Sequence, residues 1–320
     1  MGGIILTEQK KAVYFFCIEA IEHVAGNVFR AASQTLPLQD TDIQVDGNTV
    51  MEYIDPEGNA FYYVPTGKVV SHDYVHYLPI MKQHFSDFDL AGIITWHEGQ
   101  NAPDQILTVH TTGDVDSANF GPAAPEYMRN ILLALERNRI KAGLDDYTVT
   151  TEATHWSGMV YGGGTPDMIP QFPVPLLDIE IGSAPLSWSN ETAAGVLAES
   201  LTSVFTSDGL KVRNLLCAGG VHFENGFASA VFQKWEDSAF GISHILANQW
   251  LVTGGYDQED ARSKLEACVK SIQGGIEGIS FHDNLKGVYK DQLRSLAADL
   301  GIPVFKHKKL RRPETIVWGN

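Results

Sequence analysis

Four histidines, His97, His110, His155 and His222, stand where apolar strand-like runs give way to loops. An imidazole titrates near neutrality, so at such a position it can take a proton from water or hold a metal ion. Those are the two ordinary ways of making water attack a carbonyl. The stretch that concentrates this chemistry runs from Tyr147 to Ser183. There Thr148, Thr150, Glu152 and Thr154 alternate as on a strand, and the run ends in Thr154-His155-Trp156. Glu152 is placed to orient a ring nitrogen of one of the histidines. His155, His222, Glu152 and His110 are therefore the candidate catalytic residues. Gly219 and Gly220, just ahead of His222, can bring backbone N–H groups close to a substrate because no side chain intervenes, and such donors suit an oxyanion. With Thr154, Trp156 and His97 they form the candidate substrate-binding set. Each assignment has a structural competitor: a buried imidazole can simply bond a carbonyl, a buried glutamate can pair with a basic neighbour, and a glycine pair can simply make a turn.

The elements that must position these residues alternate. Ala12 to Cys17 is a continuous apolar run and reads as a strand buried on both faces, followed by helical spacing over Ala25 to Ser33. Turn sequences Asp46-Gly47-Asn48 and Asp55 to Asn59 separate alternating runs, so residues 38–70 read as an inserted β-hairpin region at the sheet edge. Leu78 to Phe85 reads as a helix with Pro79 in its first turn. Further strands are expected at Leu90 to Thr95, Gln105 to His110 and Asn214 to Ala218. Helices are expected at Pro125 to Asn138, Glu191 to Phe205 (capped by Ser189 or Asn190), Asp260 to Ile272 and Tyr289 to Leu300. This alternation predicts a single α/β domain over residues 1–320 with a mostly parallel central sheet flanked by helices.

Composition narrows the partners. With 320 residues, 44% of them hydrophobic, the chain can bury a large core. Its net charge of -16 repels polyanions on average, so nucleic acid could be met only by a local basic patch. One such patch exists, KHKKLRR at Lys306 to Arg312, read as part of a basic C-terminal tail over 306–320; a solvated tail is the plainer alternative. Cys17, Cys217 and Cys268 show no paired spacing, which suits reduced thiols and a cytoplasmic location. No apolar run approaches the roughly 18 residues a membrane span needs, and the N-terminus lacks the marks of an export signal. A homo-oligomer is compatible with these features.

Four strings, LTVHTTGD (Leu107 to Asp114), TEATH (Thr151 to His155), EIGS (Glu180 to Ser183) and GGVHF (Gly219 to Phe223), follow one another in this order. With them the chain resembles the archaeal and plant type of D-aminoacyl-tRNA deacylase over most of its length. The resemblance implies a phosphorylase or peptidyl-tRNA-hydrolase-like α/β fold, hydrolysis of the ester joining a D-amino acid to the tRNA terminus, and a dependence on zinc, with His155 and His222 as ligands. No HExxH or paired-cysteine spacing points to a metal independently. Where the family has a second histidine followed by Gly-Pro, this chain has Trp156-Ser157-Gly158 and a longer loop over 157–174. Where the family continues with a basic residue after the Gly-Gly-x-His string, this chain has Glu224, an acid that would disfavour a phosphate nearby. Three expectations remain open: a deacylase acting on tRNA, a relative acting on a small acylated substrate (an ester or amide), or a non-catalytic binding protein.

Overall fold

The apolar run after Lys11 becomes β1 (Lys11–Cys17), buried at every position but its first, in the computed structural model, which describes residues 9–19, 23–99 and 102–318. Helix α1 (Val24–Thr35) leads to a meander of β2 (Gln39–Val45), β3 (Asn48–Ile54) and β4 (Ala60–Thr66). The meander is more than an insert. β4 is apolar and buried, and it pairs in parallel with β1, while the polar, largely exposed β2 forms the edge. Helix α2 (Tyr74–His84) starts a turn earlier than its sequence suggests, because Tyr74 extends the buried stripe of Tyr77, Leu78 and Met81. Pro79 therefore lies inside the helix and not in its first turn.

The chain continues through β5 (Leu90–Trp96), β6 (Ile106–Thr111), the short pair β7 (Gly113–Asp114) and β8 (Asn119–Phe120), α3 (Pro125–Lys141) and β9 (Thr148–Thr151). After α4 (Gly158–Tyr161), β10 (Leu176–Ile181) and α5 (Pro185–Trp188) comes α6 (Glu191–Leu201), where Asn190, not Ser189, caps the helix by accepting from the Ala193 N–H. The remainder is β11 (Lys211–Ala218), α7 (Asn225–Ala228), β12 (Lys234–Trp235), β13 (Ser238–Leu246), α8 (Asn248–Thr253), α9 (Ala261–Ser271), β14 (Gly278–Phe281), α10 (Gly287–Leu300) and β15 (Val304–Lys306).

The strands form a large sheet in the order β2-β3-β4-β1-β5-β10-β6-β9 and a second sheet in the order β12-β13-β11-β14-β15. The centre of the large sheet, β4-β1-β5-β10, is parallel as expected; β10 and β6 are antiparallel. The second sheet is parallel apart from its edge strand β12. The sequence indicates strands but not which sheet each joins. The two sheets share one core through α3, whose Met128, Ile131, Leu132 and Leu135 cluster with Leu107 and Val109 of β6 and Phe240 and Ile242 of β13. No helix among the described residues is long and apolar enough to cross a membrane.

One charge is buried in that helix layer. Arg129 of α3 is 1% exposed and donates in a two-pronged pair to Asp208, Nη1 to Oδ1 at 3.1 Å and Nη2 to Oδ2 at 2.8 Å. Arg129 and Lys234 hold the Asp208 carboxyl well below the usual carboxylate range. The stabilisation is therefore fully present above that range and is lost as pH falls below it toward the lowered value of the folded state. Asp208→Ala leaves a buried guanidinium without its partner and should cost about 3 kcal/mol in chemical denaturation at neutral pH, against little change for an exposed control such as Asp42→Ala.

The segment expected to be a basic tail is folded. His307 and Leu310 are buried, and Trp318 stacks on Trp235 with ring centroids 6.2 Å apart. The last two residues of the chain lie outside the described residues.

Candidate active site

Side chains at the ends of β5, β6, β9 and β11 meet over the face of β10. His97 follows β5, His110 is the penultimate residue of β6, Glu152 and His155 follow β9, and His222 follows β11. Strand β10 adds two residues that were not among the candidate site residues, Asp178 and Glu180, the latter opening the EIGS string. They stand two apart in an otherwise apolar strand, Leu176-Leu177-Asp178-Ile179-Glu180-Ile181, and so share one face. Two carboxylates on one face of a fully buried strand were the signal. The register places Asp178 opposite His110 and Glu180 opposite Thr108.

Glu152 is the hub. Its side chain is fully buried; Oε1 accepts from the Thr108 hydroxyl at 3.0 Å and Oε2 accepts from His222 Nε2 at 2.6 Å. His97 Nδ1 lies 3.2 Å from the same Oε2 and 3.0 Å from Glu180 Oε2. Burial alone would drive the His97 proton off, but hydrogen bonds to Glu152 and Glu180 outweigh it and raise the imidazole to about 10. Burial likewise opposes the charge on Glu152, yet His222 and His97 hold its carboxyl well below the usual range. Between two glutamates, the position at His97 Nδ1 calls for a cation.

A second tier lies behind. His110 is fully buried, with Nε2 3.5 Å from Asp178 Oδ2 and 3.8 Å from Glu180 Oε1, both too long for hydrogen bonds. Burial lowers its affinity for a proton, but Glu180, Glu152 and Asp178 more than compensate and raise it to about 9. Burial pushes Asp178 up to about 7. The His110 ring stacks on His155 at 3.9 Å between centroids. Burial, and then the cationic His110, keep His155 well below the usual histidine range, so it stays neutral. His155 Nδ1 sits 2.9 Å from the Ala153 carbonyl. A carbonyl only accepts, so Nδ1 carries the hydrogen and Nε2 keeps a free lone pair. His155 is thus a neutral base of fixed tautomer.

His97, His155 and His222, but not the fully buried His110, open onto a cavity of about 980 Å³ lined also by Thr154, Trp156, Glu180 and Trp250, among others. Tyr161 forms part of its wall, stacking on His72 at 3.6 Å and bonding Glu98 at 2.9 Å. Met159, Val160 and Val221 also line it and are exposed. Trp156 is a wall residue packed edge-on against Tyr74, and a side chain at Gly158 would clash with its ring at 2.2 Å. The Trp-Ser-Gly string is therefore a packing solution.

Two expectations about substrate contacts are corrected. The Gly219 N–H donates to the Leu246 carbonyl and the Gly220 N–H to Asn284 Oδ1, so neither is free to meet a substrate. Both residues adopt left-handed backbone (φ 88° and 77°), and a Cβ at Gly220 would strike Glu224 at 2.6 Å. The pair forms a turn because only glycine fits it. The Thr154 hydroxyl is likewise committed, 3.0 Å from His244 Nδ1 and accepting from the Ile245 N–H at 3.1 Å, while the Thr154 N–H donates to the Ile245 carbonyl. It clamps the loop carrying His155 onto β13. Thr154→Val keeps the shape but strands two buried groups. It should cost about 2 kcal/mol in denaturant midpoint analysis, and Thr154→Ser should recover most of that loss.

Among the described residues, three donor sets have atoms close enough to hold a metal ion: His97, Glu152 and His222; His110, Glu152 and His155; and His110, Asp178 and Glu180. The two histidines expected to share a metal fall in different sets, joined through Glu152. His110 Nε2 and Asp178 Oδ1 are buried with no hydrogen-bond partner among the described residues, and a metal ion held there would take the place of the proton on His110.

Residues 84–305 match the family model described as D-aminoacyl-tRNA deacylase. The chain is 24% identical over 301 residues to a D-aminoacyl-tRNA deacylase of Natronomonas pharaonis, covering 92% of this chain and 59% of the relative's length. It is 25% identical over 292 residues to a D-aminoacyl-tRNA deacylase of Pyrococcus abyssi, covering 89% and 97%. The fold is shared with a crystal structure of a conserved protein of unknown function, with a TM-score of 0.71 at 17% identity over 98% of this chain and 99% of that one. With the four motif strings gathered around one cavity and the family model spanning more than two thirds of the sequence, this chain belongs to the D-aminoacyl-tRNA deacylase family.

Proposed function

We propose that the chain hydrolyses the ester between a D-amino acid and the 3′-terminal ribose of tRNA. The observation that supports this most is the state of His155: neutral, its Nδ1–H held by the Ala153 carbonyl, its ring lining a cavity beside two further histidines. Its Nε2 takes a proton from a water as that water attacks the acyl carbon. The C–O bond to ribose then breaks, and the same proton is returned to the leaving ribose oxygen. The negative charge that develops on the carbonyl oxygen needs a positive partner, and the cation called for between Glu152 and Glu180 meets that need. The His97 Nδ1–H is committed to Glu152 and Glu180, but His97, Glu152 and His222 would hold zinc, which when bound would polarise the ester carbonyl as a Lewis acid. The exposed apolar Met159, Val160 and Val221 suit the terminal base or the amino-acid side chain.

A second reading, a small-molecule esterase, is favoured by one feature: no Lys or Arg lines the cavity among the described residues, while Glu98, Asp114 and Asp116 do. Steady-state release of amino acid from a D-aminoacyl-tRNA, its L counterpart and a small aryl ester, with zinc supplied, separates the two. Preferential turnover of the D-aminoacyl-tRNA is expected. Turnover of the aryl ester alone would establish the second reading.

A further inference from the structure

The cations missing from the cavity stand on the other side of the loop that carries His222. After β15 the chain makes a 3₁₀ turn over His307–Arg311. At three residues per turn, His307 and Leu310 fall on one side, and both are buried. Lys306, Lys308, Lys309, Arg311 and Arg312 are all exposed. Lys306 and Lys308 reach Asp283, at 3.7 and 2.7 Å. Among the described residues no carboxylate pairs with Lys309, Arg311 or Arg312. In a chain of net charge -16 this is a fixed positive surface and not a trailing segment.

Its place in the fold connects it to the site. The buried His307 stacks on His282 at 4.1 Å, and His282 Nε2 lies 3.6 Å from Glu224 Oε2. Glu224 is two residues past His222, in the loop whose Val221, His222, Phe223 and Asn225 line the cavity. The acid that the sequence suggested would repel a phosphate is committed internally. It caps α7 through the Gly226 N–H, faces His282, and its side chain is only 15% exposed.

We propose that the exposed cations of Lys306 to Arg312 dock the phosphate backbone of the tRNA acceptor arm while the acylated terminus enters the cavity across the Val221–Phe223 loop. The inference rests on the deacylase reading and names the surface that reading otherwise lacks. The charges divide accordingly: the cavity takes the uncharged ester and the ammonium group beside Glu98, Asp114 and Asp116, and the basic turn takes the polyanion.

The test is a triple charge reversal, Lys309→Glu, Arg311→Glu and Arg312→Glu, which leaves the buried anchors His307 and Leu310 and the Asp283 pairs in place. Two assays are run on full-length protein. Affinity for uncharged tRNA across a salt series should fall about tenfold or more near 0.1 M salt, and its log–log salt slope should flatten by about 2. KM for D-aminoacyl-tRNA should rise with it, while kcat/KM for the matching 3′-aminoacyl-adenosine, which carries no phosphate backbone, should be retained. Unchanged tRNA affinity and salt slope overturn the proposal, as does a wild-type protein that fails to bind tRNA at low salt. An equal loss on both substrates also overturns it, since the change would then act on the site. Failure of the deacylase reading looks different: tRNA binds through the basic turn but neither acylated substrate is hydrolysed.

Discussion

His155→Ala should lower kcat for deacylation by about 10³-fold with little change in affinity for uncharged tRNA. His155 lines the cavity with its tautomer fixed, and of the rings around it only His222, whose Nε2–H is held by Glu152, keeps a second nitrogen that could accept a proton. His97 and His110 are held as cations by the carboxylates beside them, and the Nε2 of His222 is bonded to Glu152. Burial, reinforced by the stacked His110 charge 3.9 Å away between centroids, keeps His155 unprotonated through the neutral range. Activity should accordingly persist on the acid side of the usual histidine range, and the pH–rate profile of kcat/KM measures this. A profile that falls through the ordinary histidine value would place the base elsewhere.

Glu152→Gln should be comparably damaging, by about 10²- to 10⁴-fold in kcat/KM, for a different reason. The amide keeps the shape and can still accept from Thr108, but it removes the charge that His97 and His222 share. His97 loses part of what raises it to about 10, and any zinc held by His97, Glu152 and His222 loses its only anionic ligand in that set. Metal content measured on wild type and variant at equal zinc exposure should fall in step with activity. Retained zinc with lost activity would leave the charge of Glu152 itself as the cause.

Much of this site was legible because its residues end strands. Each of His97, His110, His155 and His222 stands at or just past the end of an apolar run, which the sequence shows; but β6 and β9 run antiparallel to β5 and β10, and β11 belongs to the second sheet, so these ends do not share one carboxyl edge and meet instead over the face of β10. Asp178, and Glu180 as a site residue, escaped because they lie inside the apolar strand LLDIEI, where carboxylates are not expected; their register against His110 and Thr108 exists only once β10 is inserted between β5 and β6. Gly219, Gly220 and Thr154 were misread because sequence shows that a backbone N–H or a hydroxyl exists, not what already bonds it. The Leu246 carbonyl, Asn284 and His244 are all distant in the chain. The hairpin region was recognised from its turns, but the parallel pairing of β4 with β1 is non-local and left no local mark. The basic turn looked like a tail because two buried residues among five cations, His307 and Leu310, are too sparse a pattern to signal an anchor.

The central claim is that these side chains serve one reacting carbonyl. The combined variant His155→Ala, Glu152→Gln tests it most directly, through kcat for amino-acid release from D-aminoacyl-tRNA beside each single variant. Groups that act as a unit lose their contribution once, so the double variant should be no more than about threefold slower than the more damaged single variant. Losses that multiply in full, as for independent sites, would contradict a shared centre.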